Sequence, residues 1–179
     1  MEKIGSTIVE EGIKDLKNLK ERKTVRAVIY EHNKICMLYS GLFNDYTFPG
    51  GGLKDNESHE EALQRELKEE FGANEVKVIK PLGYTEEIRF GLNKNDSKYR
   101  QISYYYLCEI ANISKPTFVG RELEQDLKKV CLNLDDVIKH NDAASKSREA
   151  EENKGFMTVL KRESLILNYL KEVLLWNYY

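Results

Sequence analysis

The chain has 179 residues, 41% of them hydrophobic and 32% charged, with a net charge of −2. That length holds one domain with a short appendage, and the near-neutral charge argues against a nucleic-acid binder that works by bulk electrostatics. No apolar run approaches the roughly 18 to 20 residues that cross a bilayer, and Met1-Glu2-Lys3-Ile4-Gly5 does not open a secretory signal. Cys36, Cys108 and Cys131 are odd in number and widely spaced, which predicts reduced thiols in a cytoplasmic protein rather than a disulfide framework or a zinc site.

In chain order, residues 1–23 are charged and weakly patterned, and Ile13, Leu16 and Leu19 recur at a spacing that predicts a short helix around 10–20. Segments 24–30 and 34–39 read as two strands, with Glu31-His32-Asn33 between them as a hairpin loop. Pro49, Gly50, Gly51 and Gly52 then interrupt regular structure. Ser58 with Glu61 three residues later fits a capping box, and the helix that it starts stops at Gly72. Extended segments follow at 76–90 and 99–110, joined by the polar connection 91–98. In the second of them Ile102, Tyr104, Tyr106 and Cys108 alternate with Ser103, Tyr105 and Leu107, which predicts a strand with two unlike faces. An acidic patch at 122–126 precedes a short strand at 130–132, and a helix begins near Leu134. Residues 141–155 read as a polar loop or solvated helical turn, and 157–176 as a leucine-rich packing helix.

Within the helix of 58–71, Glu66, Glu69 and Glu70 stand at i, i+3 and i+4 and so share one face. Three like charges held side by side repel one another, and a hard divalent cation such as magnesium, which prefers oxygen ligands, removes that cost. Leu63, Leu67 and Phe71 form a second stripe roughly a quarter turn away, so the helix anchors through its leucines while its acids edge a cleft. Arg65 flanks Glu69 and is placed to neutralise or orient a carboxylate. A glutamate-rich helix alone is more often a solvated face. The glycine loop before it shifts the balance, because glycine lets backbone approach a metal or phosphate closely.

Gly51, Glu57, Arg65, Glu66, Leu67, Glu69, Glu70 and Gly72 fall in the register of the signature of the Nudix hydrolases, and the chain resembles that MutT-like family. Ala73, where the signature has a larger aliphatic residue, is a mild departure that touches packing. The resemblance implies an α/β (α+β) fold, an α/β/α sandwich around a mixed sheet. The domain is expected over 24–140, after an N-terminal segment 1–23 and before a C-terminal helical extension 141–179. It also implies hydrolysis of a nucleoside diphosphate linked to a group X, with Mg²⁺ or Mn²⁺. Carried over by position, Glu66, Glu69, Glu70 and the Gly51 carbonyl are metal ligands. The catalytic base is Glu66 or, as second choice, Glu69, while Glu57, Arg65 and Gly72 shape the motif.

The family often adds an acid from a distant loop, for which Glu122 and Glu124, with Asp126, are the candidates here. A solvated acidic turn explains each of them equally well. Arg89 and Arg100 flank the 91–98 connection and are candidates for substrate phosphates, although an ordinary basic loop is slightly preferred. The expected partner is a small-molecule nucleotide derivative, with neither nucleic acid nor membrane involved and a homodimer allowed. The stretch before the first strand is too short for the extra β-domain of many dimeric ADP-ribose hydrolases in the family, which favours a nucleoside triphosphate or another general nucleotide derivative. ADP-ribose or a nucleotide sugar is the alternative substrate. A sensing module that binds without cleaving is the alternative function, disfavoured because every motif glutamate is kept.

Overall fold

A computed structural model describes residues 1–91, 97–118, 121–150 and 157–176. In chain order its elements are β1 (Ile8–Val9), β2 (Lys20–Glu31), β3 (Lys34–Ser40), β4 (Asp45–Thr47), α1 (His59–Phe71), β5 (Ala73–Phe90), β6 (Lys98–Ile113), α2 (Arg121–Glu124), β7 (Leu127–Leu132), α3 (Leu134–Ala150) and α4 (Met157–Trp176). The strands make one mixed sheet in the order β1-β5-β6-β2-β3-β4, with β7 on β3. β1 runs parallel to β5 and β2 parallel to β6, while the β5–β6, β2–β3, β3–β4 and β3–β7 pairs are antiparallel.

Strand periodicity decides what each face of the sheet carries. Val25, Ala27 and Ile29 of β2 point to one side and bury against Leu63, Leu67 and Phe71 of α1. Val28 and, from neighbouring strands, Met37 and Tyr105 point to the other side, where Ile166, Leu167 and Leu170 of α4 and Val137 of α3 cover them. Helices on both faces of a mixed sheet make the expected α/β/α arrangement. No helix among the described residues is long and apolar enough to cross a membrane.

Three expectations are corrected. Residues 10–20 form no helix: β1 ends at Val9, Gly12 and Asn18 take positive φ, and β2 already begins at Lys20. Three apolar residues over seven positions are too few to offset the cost of nucleating a helix. Residues 151–155 lie outside the described residues, while 141–150, read as a loop or a solvated helical turn, are the second half of α3 and pack inward. Their polar inward residues are satisfied by β4: the Asn141 amide donates to the Tyr46 carbonyl at 2.8 Å, and Arg148 Nη2 donates to Asp45 Oδ2 at 2.7 Å. Cys36 and Cys131, expected as thiols, are joined in a disulfide. The β3–β7 register sets them directly opposite each other with Cα atoms 4.0 Å apart, a proximity that their 95-residue separation conceals. Cys108 is the remaining free thiol, and burial pushes its pKa up to about 12.

Candidate active site

Helix α1 starts and stops on local chemistry. The Ser58 hydroxyl accepts from the Glu61 N–H, while the Glu61 carboxylate accepts from the Ser58 N–H at 2.8 Å, a complete capping box. At the other end Gly72 takes φ 68° and donates to the Leu67 and Lys68 carbonyls, and a Cβ there would collide with the Ser114 carbonyl. The helix is therefore fixed in register at both ends, and Leu63, Leu67 and Phe71, all fully buried, fix its rotation.

The preceding loop is pinned along β2. Val25 N donates to the Gly51 carbonyl and Ala27 N to the Pro49 carbonyl, each at 2.9 Å, and Leu53 N donates to the Lys23 carbonyl at 3.1 Å. Gly50 has φ +126° and lies so close to the Val25 carbonyl that a side chain there is impossible. A Cβ on Gly51 would occupy the space taken by the Glu66 carboxylate, so this glycine makes the room that Glu66 fills.

Arg65 ties loop to helix. Its Nε and Nη2 donate to the two Glu57 carboxylate oxygens at 2.7 and 2.8 Å, a bidentate fork. Nη2 also donates to the Gly52 carbonyl at 3.1 Å, and Nη1 donates to Glu66 Oε1 at 2.6 Å. The Arg65 hydrogen bonds hold the Glu57 carboxyl down at about 2, and the Lys54 N–H adds to the effect. Glu70 is held from the loop side, accepting from Gly50 N at 2.7 Å. The Glu69 carboxylate accepts no hydrogen bond among the described residues.

Glu66 and Glu70, although nearly buried at 8% and 5% exposure, reach one cavity of about 540 Å³. Glu124, on α2, lines the same cavity, as do Gly50 and Gly51. Leu42, Phe43 and Val159 add apolar lining, and Arg22, Arg26, Arg89 and Arg162 add cationic lining. Glu69 is half-buried. The donors are carboxylate and carbonyl oxygens, which suit a hard divalent cation. Among the described residues, no three His, Cys, Asp or Glu side chains close on a common point.

Of the other candidates, Arg89 lines the cavity, whereas Arg100 is exposed and pairs with Glu86 at 3.1 Å. Asp126 pairs with Lys128 at 2.9 Å, and the Glu122 side chain lies outside the described residues. Sequence reasoning missed Arg22, Arg26 and Arg162. Arg22 stood in what read as a charged leader, and Arg162 was hidden among leucines. The available signals were the two-residue spacing of Arg22, Thr24 and Arg26, and the charged pair Arg162-Glu163 inside an apolar helix.

The description of the family model that matches residues 20–153 is NUDIX domain. The chain is 33% identical over 101 residues to the nucleoside triphosphatase NudI of Enterobacter sp. (strain 638), a match spanning 51% of this chain and 71% of that protein. A 40-residue stretch is 50% identical to an RNA pyrophosphohydrolase of Campylobacter jejuni subsp. doylei and covers 22% of this chain and 26% of that protein. A solved NUDIX hydrolase from Nitrosomonas europaea shares the fold, with a TM-score of 0.52 and 19% identity over 69% of this chain and 79% of that one. With its signature residues in register on α1 and its loop, and the family's match running through most of its length, the chain belongs to the Nudix family and is a hydrolase of nucleoside diphosphate derivatives.

Proposed function

We propose that the chain hydrolyses nucleoside triphosphates at the α–β phosphoanhydride, with Mg²⁺ or Mn²⁺ held on the acidic face of α1. The observation that carries this reading is one cavity lined both by Glu66 and Glu70 and by Arg22, Arg26, Arg89 and Arg162, the mixture of charges that a metal-bound polyphosphate requires. The similarity to a protein named nucleoside triphosphatase supports the triphosphate as substrate.

Glu66, Glu69 and Glu70 are the residues that would hold the cation, joined by the free lone pair of the Gly51 carbonyl. A divalent cation bound there neutralises diphosphate oxygens and acidifies a water. Glu66 takes the proton from the attacking water, with Glu69 the second choice. Arg65, through its bond to Glu66 Oε1, keeps that carboxylate aimed into the cavity and leaves Oε2 for the proton. Leu42, Phe43 and Val159 offer the base an apolar surface.

The experiment is a screen of purified protein with magnesium against nucleoside triphosphates, ADP-ribose, nucleotide sugars and dinucleoside polyphosphates, with products separated by chromatography. Nucleoside monophosphate and pyrophosphate should form fastest from triphosphates and only with metal. Faster cleavage of ADP-ribose or a nucleotide sugar would replace the substrate, and binding without turnover would make the chain a sensor.

A further inference from the structure

The sheet face under α4 carries a polar belt where a core is expected. Strand periodicity puts Arg22, Thr24 and Arg26 of β2 on this face, with Gln101 and Ser103 of β6 and Glu87 and Arg89 of β5. Register sets Arg22 beside Gln101, and Gln101 beside Glu87. From above, α4 contributes Arg162 and Glu163, both essentially without solvent contact.

Arg162 takes one oxygen of each buried carboxylate, Glu163 Oε2 accepts from the Phe48 N–H at 3.2 Å, and Glu87 Oε2 is buried without a hydrogen-bond partner among the described residues. Arg162 Nη1 donates to Glu87 Oε1 at 3.1 Å, and its Nε and Nη2 donate to Glu163 Oε1 at 3.1 and 2.5 Å. Three guanidiniums are left with less. Arg26 Nη1 donates to the Phe48 and Gly50 carbonyls at 2.9 and 2.6 Å, which shapes the loop, while its Nε is buried without an acceptor. Arg89 Nη2 donates to Gln101 Oε1 at 3.1 Å, while its Nε is buried without a hydrogen bond, 3.6 Å from Glu87. The Arg22 side chain makes no hydrogen bond or ion pair among the described residues and lines the cavity, where a Cβ on Gly52 would lie 3.9 Å from its Nη2. Although solvent reaches Arg22, the surrounding protein and then Arg89 and Arg26 lower its pKa. Donors on Arg26 and Arg89 and the acceptor Glu87 Oε2 are thus all buried unmatched in one belt, and an unmatched buried polar group carries its full desolvation cost unless something else meets it.

We propose that Arg22 and Arg89 form a subsite for the terminal phosphate of a triphosphate, with Arg26 holding the loop that frames it. This rests on the hydrolase reading above and adds what selects X, a charged phosphoryl group in place of a neutral sugar. Guanidinium suits the task because its planar fork matches phosphate oxygens and stays charged even in crowded positive surroundings.

The test compares wild type with Arg22→Gln and Arg22→Lys, both at an accessible strand position outside the apolar core. Values of kcat/KM are measured for a nucleoside triphosphate and for a nucleoside diphosphate bearing a neutral hexose, and binding of inorganic tripolyphosphate is measured by calorimetry. In Arg22→Gln, the ratio of the two kcat/KM values should fall about tenfold or more, with tripolyphosphate binding weakened on the order of 10- to 100-fold. Arg22→Lys should recover part of both. An unchanged ratio with unchanged tripolyphosphate binding overturns the subsite even if wild type cleaves triphosphates. An equal fall for both nucleotides also overturns it, since it would report general positioning. If wild type binds tripolyphosphate through Arg22 yet cleaves no triphosphate, the subsite stands and the assigned reaction falls.

Discussion

The two faces of the sheet are built on opposite principles. Under α1, Val25, Ala27 and Ile29 meet Leu63, Leu67 and Phe71 in a dry apolar layer. Under α4, an apolar patch around Ile166 and Leu167 gives way to charged and hydroxyl side chains beside a cavity. The first face stabilises and orients, because close packing leaves α1 one way to sit. The second face gives up packing for a buried ion network, which contributes little net stability by itself. The acids therefore belong to the rigid side and the arginines to the costly side, and the cavity lies where the two meet.

That contrast can be broken at several points. Arg162→Leu strands Glu87 and Glu163 in the interior and should cost about 3–5 kcal/mol in chemical denaturation. Replacing Arg162, Glu87 and Glu163 together with apolar residues of similar size should regain most of that loss while triphosphate turnover stays impaired. Full activity in this triple variant would show that the Arg162–Glu87–Glu163 network serves no catalytic purpose. On the dry face, Leu67→Ala should cost about 2–5 kcal/mol by the same measurement. A cost well below 1 kcal/mol would mean that α1 is not anchored there.

Arg65→Gln cuts the fork to Glu57 and the bond to Glu66. It should lower kcat about 10- to 100-fold with only a small change in thermal midpoint. A large loss of stability with unchanged kcat would recast Arg65 as a folding residue. The smallest effect concerns pH. Glu57 is held at about 2 against an ordinary 4.5, so its contribution is present above about pH 4.5 and lost as pH falls toward 2. The thermal midpoint of Glu57→Gln should lie below wild type at neutral pH and converge on it across that window. A gap that persists at pH 2 would rule out the charge as the cause.

How much was legible follows the range of the interactions. The acidic face, the capping box and the glycine stop lie within fifteen residues, Ser58 to Gly72, and helical geometry alone relates them. The Glu57–Arg65 fork spans eight residues and was legible as part of the motif. The arginine wall needed the β2–β6–β5 register, which no local pattern states. The Cys36–Cys131 pairing needed the β3–β7 register for the same reason. The second half of α3 was hidden because Asn141 and Arg148 look solvated until β4 supplies their partners.

The most direct test of the central claim is magnesium-dependent cleavage of a nucleoside triphosphate by wild type and by Glu69→Gln and Glu70→Gln, followed by ³¹P NMR. Wild type should release nucleoside monophosphate and pyrophosphate, and each variant should remain folded by circular dichroism while losing on the order of 100-fold or more in kcat. Wild-type-like turnover by either variant, or wild-type turnover that is indifferent to magnesium, would contradict a metal held on the acidic face of α1.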